Sequence, residues 1–276
     1  CKTFLLLHRL RSSRETARTG HHMKIIERLE RAQAQTWWLP ESVVIHEGPD
    51  HCFYHHGGRY TIVRFDPTAG DTIPLLNRIM DVVGTHPVHF AYFPHRHDDE
   101  VLGALKTAGF RPGHRHEARV VHVDAYDRPP PADIAVIMVE TFEEMKRVYA
   151  MRSEAFGGGV EESDESLHLY WRAATGPKAR VRQFLAVDAQ SAEPLSQAGM
   201  SLFPELQFAF LFAGATLEYA RGRGAYTALV AARVAYARAI GIEYIGLFAR
   251  EETSAPIVAR QGFEHCGEMH YWCANQ

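Results

Sequence analysis

A strand-helix-strand-helix-strand order that occurs twice constrains this chain more than any other feature. In the first half "RYTIVRF" reads as a strand, "TIPLLNRIMDVVG" as a helix, "PVHFAYF" as a strand, "DEVLGALKTAGF" as a helix and "EARVVHVDA" as a strand. In the second half the same places are taken by "FAFLFAGATL", "AYTALVAARVAYARAIG", "IEYIGLFA", "SAPIVARQGF" and "EMHYWCA". Ala108-Gly109-Phe110 matches Gln261-Gly262-Phe263. Each glycine stands where a helix ends on a left-handed residue, and each phenylalanine where it would pack back beneath that end. A duplication is expected.

The boundary falls at "YDRPPPADI". Pro129, Pro130 and Pro131 exclude a helix interior or a central strand, so 129–133 reads as an extended linker between 23–128 and 134–276. Upstream in the second half, "DIAVIMV" reads as a strand. "TFEEMKRVYAMRSEAF" reads as an amphipathic helix, with a threonine cap and Glu144 three residues on. "ESLHLYWRAAT" reads as a second helix, and "RQFLAVDA" with "LSQAGMSLF" as an antiparallel pair. The expected class is α/β (α+β): two domains, each a mixed, mostly antiparallel sheet with helices on both faces. Residues 1–22 read as a leader or upstream extension, with Met23 and "KIIERLE" as the natural beginning.

Composition narrows the partners. A net charge of -3 over 276 residues gives no reason to expect nucleic acid. No apolar run approaches the ~18 residues of a membrane span. Cys1, Cys52, Cys266 and Cys273 lack C-x-x-C spacing and read as free thiols in a reducing cytoplasm. His51, His55 and His56, then His95-Arg96-His97, then His114-Arg115-His116, form clusters, but "DHCFYHHGGRY" is not convincingly helical and no metal site is expected.

The stretch "ATLEYARGRGAYTALV" joins a strand to a helix through an arginine-glycine turn. That order places unsatisfied backbone N–H groups and the positive end of a helix dipole together, which suits an anion. A Walker A loop needs Gly-Lys-Ser/Thr at its end, and this turn ends Gly224-Ala225-Tyr226. A dinucleotide fingerprint has glycines at 222 and 224 but finds Thr227 at the third position; Glu243 lies about where its ribose carboxylate belongs. The third pattern, Arg/Gln-x-x-Gly-x-Gly/Ala, fits from Arg221 to Ala225 and departs at Tyr226.

On these residues the chain resembles the Gcn5-related N-acetyltransferases (GNAT). The resemblance covers about 134–276 well. It covers 23–128 as a degenerate copy, with "DPTAGDTIPLLNRI" where the turn belongs, so the chain looks like the tandem type. The resemblance implies acetyl-CoA as co-substrate, held in a cleft where two strands splay apart. The main chain at Gly214, Ala215 and Thr216 would pair with the pantetheine arm. The turn Arg221, Gly222, Arg223, Gly224, Ala225, Tyr226 and Thr227 would hold the diphosphate. Gly214 also marks a place for a bulge or a close approach of ligand.

Acetyl transfer needs a neutral amine. A lysine amine costs roughly 4.6 kcal/mol to neutralise at pH 7, an α-amine only about 1 kcal/mol. A carboxylate base normally helps. The chain departs from the family here: Val258 stands where a tyrosine often protonates the sulfur, and the strand carboxylate of some members falls near Phe208. Substitute acids and bases are Glu205 before the strand, Glu218 after it and Tyr226 in the turn, with Tyr244, His270 and Tyr271 further off. The acidic stretch Glu161, Glu162, Asp164 and Glu165 suits either a cationic acceptor or a solvated helix start. Gly157–Gly159 suggests a lid. The expected function is transfer of an acetyl group to a small-molecule or peptide amine by a monomer or homodimer. A non-catalytic acyl-CoA sensor and an NAD-binding crevice are the alternatives.

Overall fold

The computed structural model describes residues 24–36, 39, 43–155, 164–175 and 179–275. The first half runs α1 (Ile25–Gln33), β1 (Ile45–Glu47), β2 (His51–His56), β3 (Arg59–Phe65), α2 (Thr72–Val83), β4 (Val88–Tyr92), α3 (Asp99–Thr107) and β5 (Arg111–His122). The second runs β6 (Ile134–Met138), α4 (Phe142–Ala155), α5 (Asp164–Thr175), β7 (Val181–Asp188), β8 (Pro194–Phe203) and β9 (Phe208–Thr216). It continues with α6 (Ala225–Ala239), β10 (Tyr244–Arg250), α7 (Ser254–Arg260) and β11 (Glu264–Ala274).

Local chemistry explains several ends. Thr141 Oγ1 accepts from the Glu144 N–H at 3.3 Å, and Glu144 Oε2 accepts from the Thr141 N–H at 3.0 Å, a reciprocal cap for α4. Gly109 and Gly262 take φ of 83° and 89°. The Phe110 and Phe263 N–H groups then reach back to the carbonyls of Leu105 and Val258 at 3.0 and 3.2 Å. Both rings are buried. The histidine-rich "DHCFYHH" is β2 of a hairpin, turned by Gly57 and Gly58 at φ 60° and 78°.

All eleven strands form one sheet, in the order β1-β2-β3-β4-β11-β5-β10-β9-β8-β7-β6. Two neighbouring pairs are parallel, β3 with β4 and β9 with β10; the others are antiparallel. This corrects the expectation of two sheets. The last strand of each half has crossed to the other: β5 pairs with β10 from Tyr244↔His122 to Arg250↔His116, and β11 pairs with β4 from His270↔Tyr92 to Ala274↔Val88. Two separate sheets, each closed by its own last strand, would leave β5 and β11 with open edges; in the single sheet these two strands pair with each other, and the outermost strands, β1 and β6, are the ones unpaired on one side.

The cores follow the exchange. Trp272 and Ala274 of the last strand are buried with Leu75, Ile79 and Phe90 of the first half. Val121 and Val123 are buried with Leu229, Val234 and Ile245 of the second. Helix α1 sets Ile26 and Leu29 against Ala118, Val120, Phe203 and Phe208, so residues from both halves share that layer too. Each buried Leu, Ile or Phe contributes about 1.5–3 kcal/mol relative to exposure.

Candidate functional site

Strands β9 and β10 pair only at Tyr244↔Phe208, Ile245↔Ala209 and Gly246↔Phe210. Beyond that apex they part, and a cleft of about 810 Å³ opens between them. A bulge accompanies the parting. Gln197 pairs with Ala215 and Gly199 with Phe212, so Ala213 and Gly214 together face Ala198. Ala213 is left-handed at φ 50°. An extra residue on one strand increases local twist and bends it from its neighbour. Buried side chains of β8 hold the bulge: Gln197 Nε2 donates to the Ala213 carbonyl at 2.7 Å, and Ser196 Oγ to that of Ala215 at 2.8 Å. The β9 main chain past Phe210 has no strand partner on its β10 side.

The arginine-glycine turn lies at the mouth. Gly222 and Gly224 take φ of 79° and 87°. A Cβ on Gly224 would stand 2.7 Å from Pro131 Cγ, so the proline-rich connector braces the turn. Gly224 caps α6 with no side-chain hydrogen bond and no acid in the first turn, leaving the helix N-terminus open. Tyr126, at the connector's start, donates to Gln261 Oε1 at 3.3 Å, and Gln261 Nε2 donates to Thr227 Oγ1 at 2.9 Å.

Charge on the described lining of the cleft is of one sign. Among the described residues Arg221, Arg233, Arg250 and Arg260 line it, and no aspartate or glutamate does. Arg233 is 1% exposed. Its Nε donates to the Leu229 carbonyl at 3.0 Å and its Nη1 to the Gly199 carbonyl at 3.2 Å. Burial lowers its pKa, opposed by Tyr226 and Tyr126 beside it.

Of the residues expected to hold the coenzyme, all except Arg223 line the cleft: Gly214, Ala215, Thr216, Arg221, Gly222, Gly224, Ala225, Tyr226 and Thr227. Arg223 turns outward to Asp188, at 2.6 Å. Asp188 also accepts from the Ser191 and Gln190 N–H groups, and the Ser191 bond, Arg223 and the Gln190 bond hold its carboxyl well below the usual range.

The candidate acids and bases divide. Tyr226 is in the cleft, its ring between Gly214 and the Arg233 guanidinium. Glu205 is not: it lies before the paired end of β9, exposed and bridged to Arg180 at 2.6 Å. Glu218 is exposed on a single 3-10 turn outside the lining. Tyr244 stands at the closed apex against His122, and His270 pairs with Glu268 at 2.8 Å. Val258 is buried in the core and offers no hydroxyl. Gly157–Gly159, Glu161 and Glu162 lie outside the described residues, as does the side chain of Glu165; Asp164 faces Lys146 at 3.9 Å.

Sequence reasoning missed His116 as a site residue. It sits on β5, opposite Arg250, and lines the cleft. Its Nδ1 is buried without a partner, its ring meets Tyr271 edge-on at 5.4 Å, and burial with Arg250 and His114 nearby holds its pKa down at about 4. Burial thus favours the neutral imidazole, against the opposing backbone hydrogen bond with His114. The other histidine patterns are structural. His95 and Arg96 hold the buried Glu30 at 2.6 and 3.1 Å, and among the described residues no group of three His, Cys, Asp or Glu could hold a metal. No described helix is long and apolar enough to cross a membrane.

No protein-family model and no curated protein matches the chain. Solved structures do. A GCN5-related N-acetyltransferase from Kribbella flavida has a TM-score of 0.66 at 18% identity, over 91% of this chain and 96% of that one. A tandem GNAT protein from the clavulanic acid biosynthesis pathway, solved without AcCoA, has 0.64 at 13% identity, over 94% and 91%. A GCN5-related N-acetyltransferase from Sphaerobacter thermophilus has 0.61 at 16%, over 81% and 76%.

Proposed function

We infer the function from a GNAT-like fold: an α+β chain built on one mixed sheet and similar across most of its length to solved N-acetyltransferases. We propose that the chain binds acetyl-CoA, or a related acyl-CoA, between β9 and β10 and transfers the acyl group to an amine. One observation carries this reading: strands that part at Phe210 and Gly246, with a glycine turn and an open helix N-terminus at the mouth and only cations among the charged lining.

The residues present fit such a ligand. Amides from Gly222 to Thr227 would hold the diphosphate, with Arg221 and Arg260 as added positive charge. The unpaired β9 main chain would hydrogen-bond the pantetheine amides as a strand would. The amine nitrogen forms its bond to the thioester carbon, the carbon–sulfur bond breaks, and the amine proton leaves as the thiolate takes one up. His116 would accept a hydrogen bond from the amine. An imidazole held near 4 is a weak base, so the acceptor it suits is an amine already largely neutral. Tyr226 is the hydroxyl nearest to hand for the sulfur. The first half, a diverged copy of the second, would serve as the partner that closes the sheet and supplies His116.

The absence of a carboxylate among the described lining residues favours a second reading, an acyl-CoA sensor without turnover. Calorimetry with acetyl-CoA and NAD, followed by thiol release across a panel of α-amines and lysine-type amines, separates the readings. Binding of acetyl-CoA with thiol release supports transfer. Binding without release on any amine supports the sensor. Affinity for NAD instead overturns both.

A further inference from the structure

Arg233 is a charge that a plain acetyl donor leaves unused. It is 1% exposed and lines the cleft; Nε and Nη1 donate to main-chain carbonyls, the Tyr226 side chain lies against the guanidinium, and Nη2 has no acceptor among the described residues. Its charge has no carboxylate partner among the described ion pairs. A guanidinium out of water normally has an anion beside it. Fastening α6 to β8 needs donors but not a charge, and the Tyr226 ring beside the guanidinium is no substitute for a carboxylate.

Its depth is informative. Helix α6 runs back along the sheet from the turn toward the apex, as a helix between two parallel strands must. Arg233 lies eight residues past Ala225, roughly 12 Å along the axis at about 1.5 Å per residue. Gly199, whose carbonyl it binds, pairs with Phe212, just inside the bulge. Tyr226 separates the guanidinium from Gly214, 5.7 Å from ring centre to Cζ. A thioester whose diphosphate sits on the turn would extend toward this point.

We propose that the acyl group carried in this cleft ends in a carboxylate, as malonyl and succinyl thioesters do, and that Arg233 receives it. The inference rests on reading the cleft as an acyl-CoA site and names the donor class. The distal carboxylate takes no part in bond making; the amine still attacks the thioester carbon and the thiol still leaves. Nη2 and the Tyr226 hydroxyl are the donors for it.

The test is calorimetry of the whole chain with CoA, acetyl-CoA, butyryl-CoA, malonyl-CoA and succinyl-CoA. Butyryl and succinyl chains match in length and differ in the terminal charge. Succinyl-CoA or malonyl-CoA is expected to bind at least tenfold tighter than butyryl-CoA. Arg233→Met is expected to abolish that ratio while CoA itself binds as before, and Arg233→Lys to keep part of it. Should Arg233→Met not fold, the wild-type ratio and the Lys variant decide. Neutral thioesters binding as tightly as charged ones overturn the proposal, as does a preference that survives in Arg233→Met. Equal weakening of every thioester in the Arg233 variants, with no preference in the wild type, makes Arg233 a general support of the cleft and also overturns it. If CoA binds and no preference exists, only this inference fails. If no thioester binds, the acyl-CoA reading fails with it.

Discussion

Tyr226 packs so closely on Gly214 that a Cβ at Gly214 would stand 2.7 Å from the tyrosine Cε2. The contact joins the bulge of β9 to the first turn of α6, two parts of the cleft wall. Gly214→Ala must displace the ring, at an overpacking cost of about 1–3 kcal/mol. A ring can swing, so most of the effect is expected in the cleft: acetyl-CoA affinity falls several-fold and the fold survives. Adding Tyr226→Ala should restore part of the affinity in calorimetry. A double variant no better than Gly214→Ala would show that the ring is not the obstacle.

Gly224 is constrained twice, by φ of 87° and by Pro131. Gly224→Ala takes on the left-handed penalty of about 1–2 kcal/mol and the contact with the proline. The melting temperature is expected to drop by several degrees and coenzyme affinity at least tenfold. Pro131→Ala in the same chain relieves the contact but not the backbone strain, so it should recover only part of the stability. Full recovery would assign the whole effect to the connector.

The element order, the helix-ending glycines and the turn are legible in sequence because each is local. A left-handed glycine followed by a buried phenylalanine is a pattern of a few residues, and so is Thr141 with Glu144. Neighbours in a sheet are not local. Nothing in "EARVVHVDA" says that its partner is "YIGLFAR" of the other half, and so the exchange and His116 at the cleft could not be read. The same gap explains Glu205 and Glu218. Both flank the correct strand, but only the position of the apex shows that Glu205 is before the closed end. Arg223 fails differently: its partner Asp188 lies on β7, far away in sequence.

His97 gives the pH dependence of stability a sign. It is buried, its Nδ1 accepts from the Phe93 N–H and its Nε2 donates to the Phe65 carbonyl, both at 3.1 Å. Burial lowers its pKa to about 4; the Phe65 bond and Asp98 oppose this, while Arg96 and His95 add to it. The unfolded chain takes up the proton near 6.5. Between those values the unfolded state binds more protons, so the contribution is complete above about 6.5 and is lost as pH falls toward 4. His116 acts in the same direction. Urea midpoints are expected to decline from pH 7 to pH 5, and less steeply in His97→Gln. A flat profile in the wild type would mean that neither imidazole is held neutral.

His116→Ala separates chemistry from binding. The residue lines the cleft from β5, away from the arginine-glycine turn proposed to hold the diphosphate. Acetyl-CoA affinity is expected to stay within twofold, and thiol release with an α-amine to fall about tenfold, below the usual range for a base because a buried neutral imidazole accepts protons weakly. Melting curves guard against a folding defect. Unchanged release would leave Tyr226 and water as the remaining proton carriers.

The exchange of β5 and β11 predicts that residues 134–276 cannot stand alone. Cut from the first half, β10 loses β5, and β11 loses both β4 and β5. Val121, Val123 and Tyr126 leave the core that contains α6, and the layer under α1 disappears. Two long strands would then present open apolar edges, which pair with other copies. The fragment is expected to be aggregated or to lack a cooperative melt, whereas co-expression with residues 23–128 should restore a soluble complex that binds acetyl-CoA. A monomeric fragment with a sharp thermal transition and wild-type affinity would mean that β11 can return to β10 in its own half, and that the two halves are independent units after all.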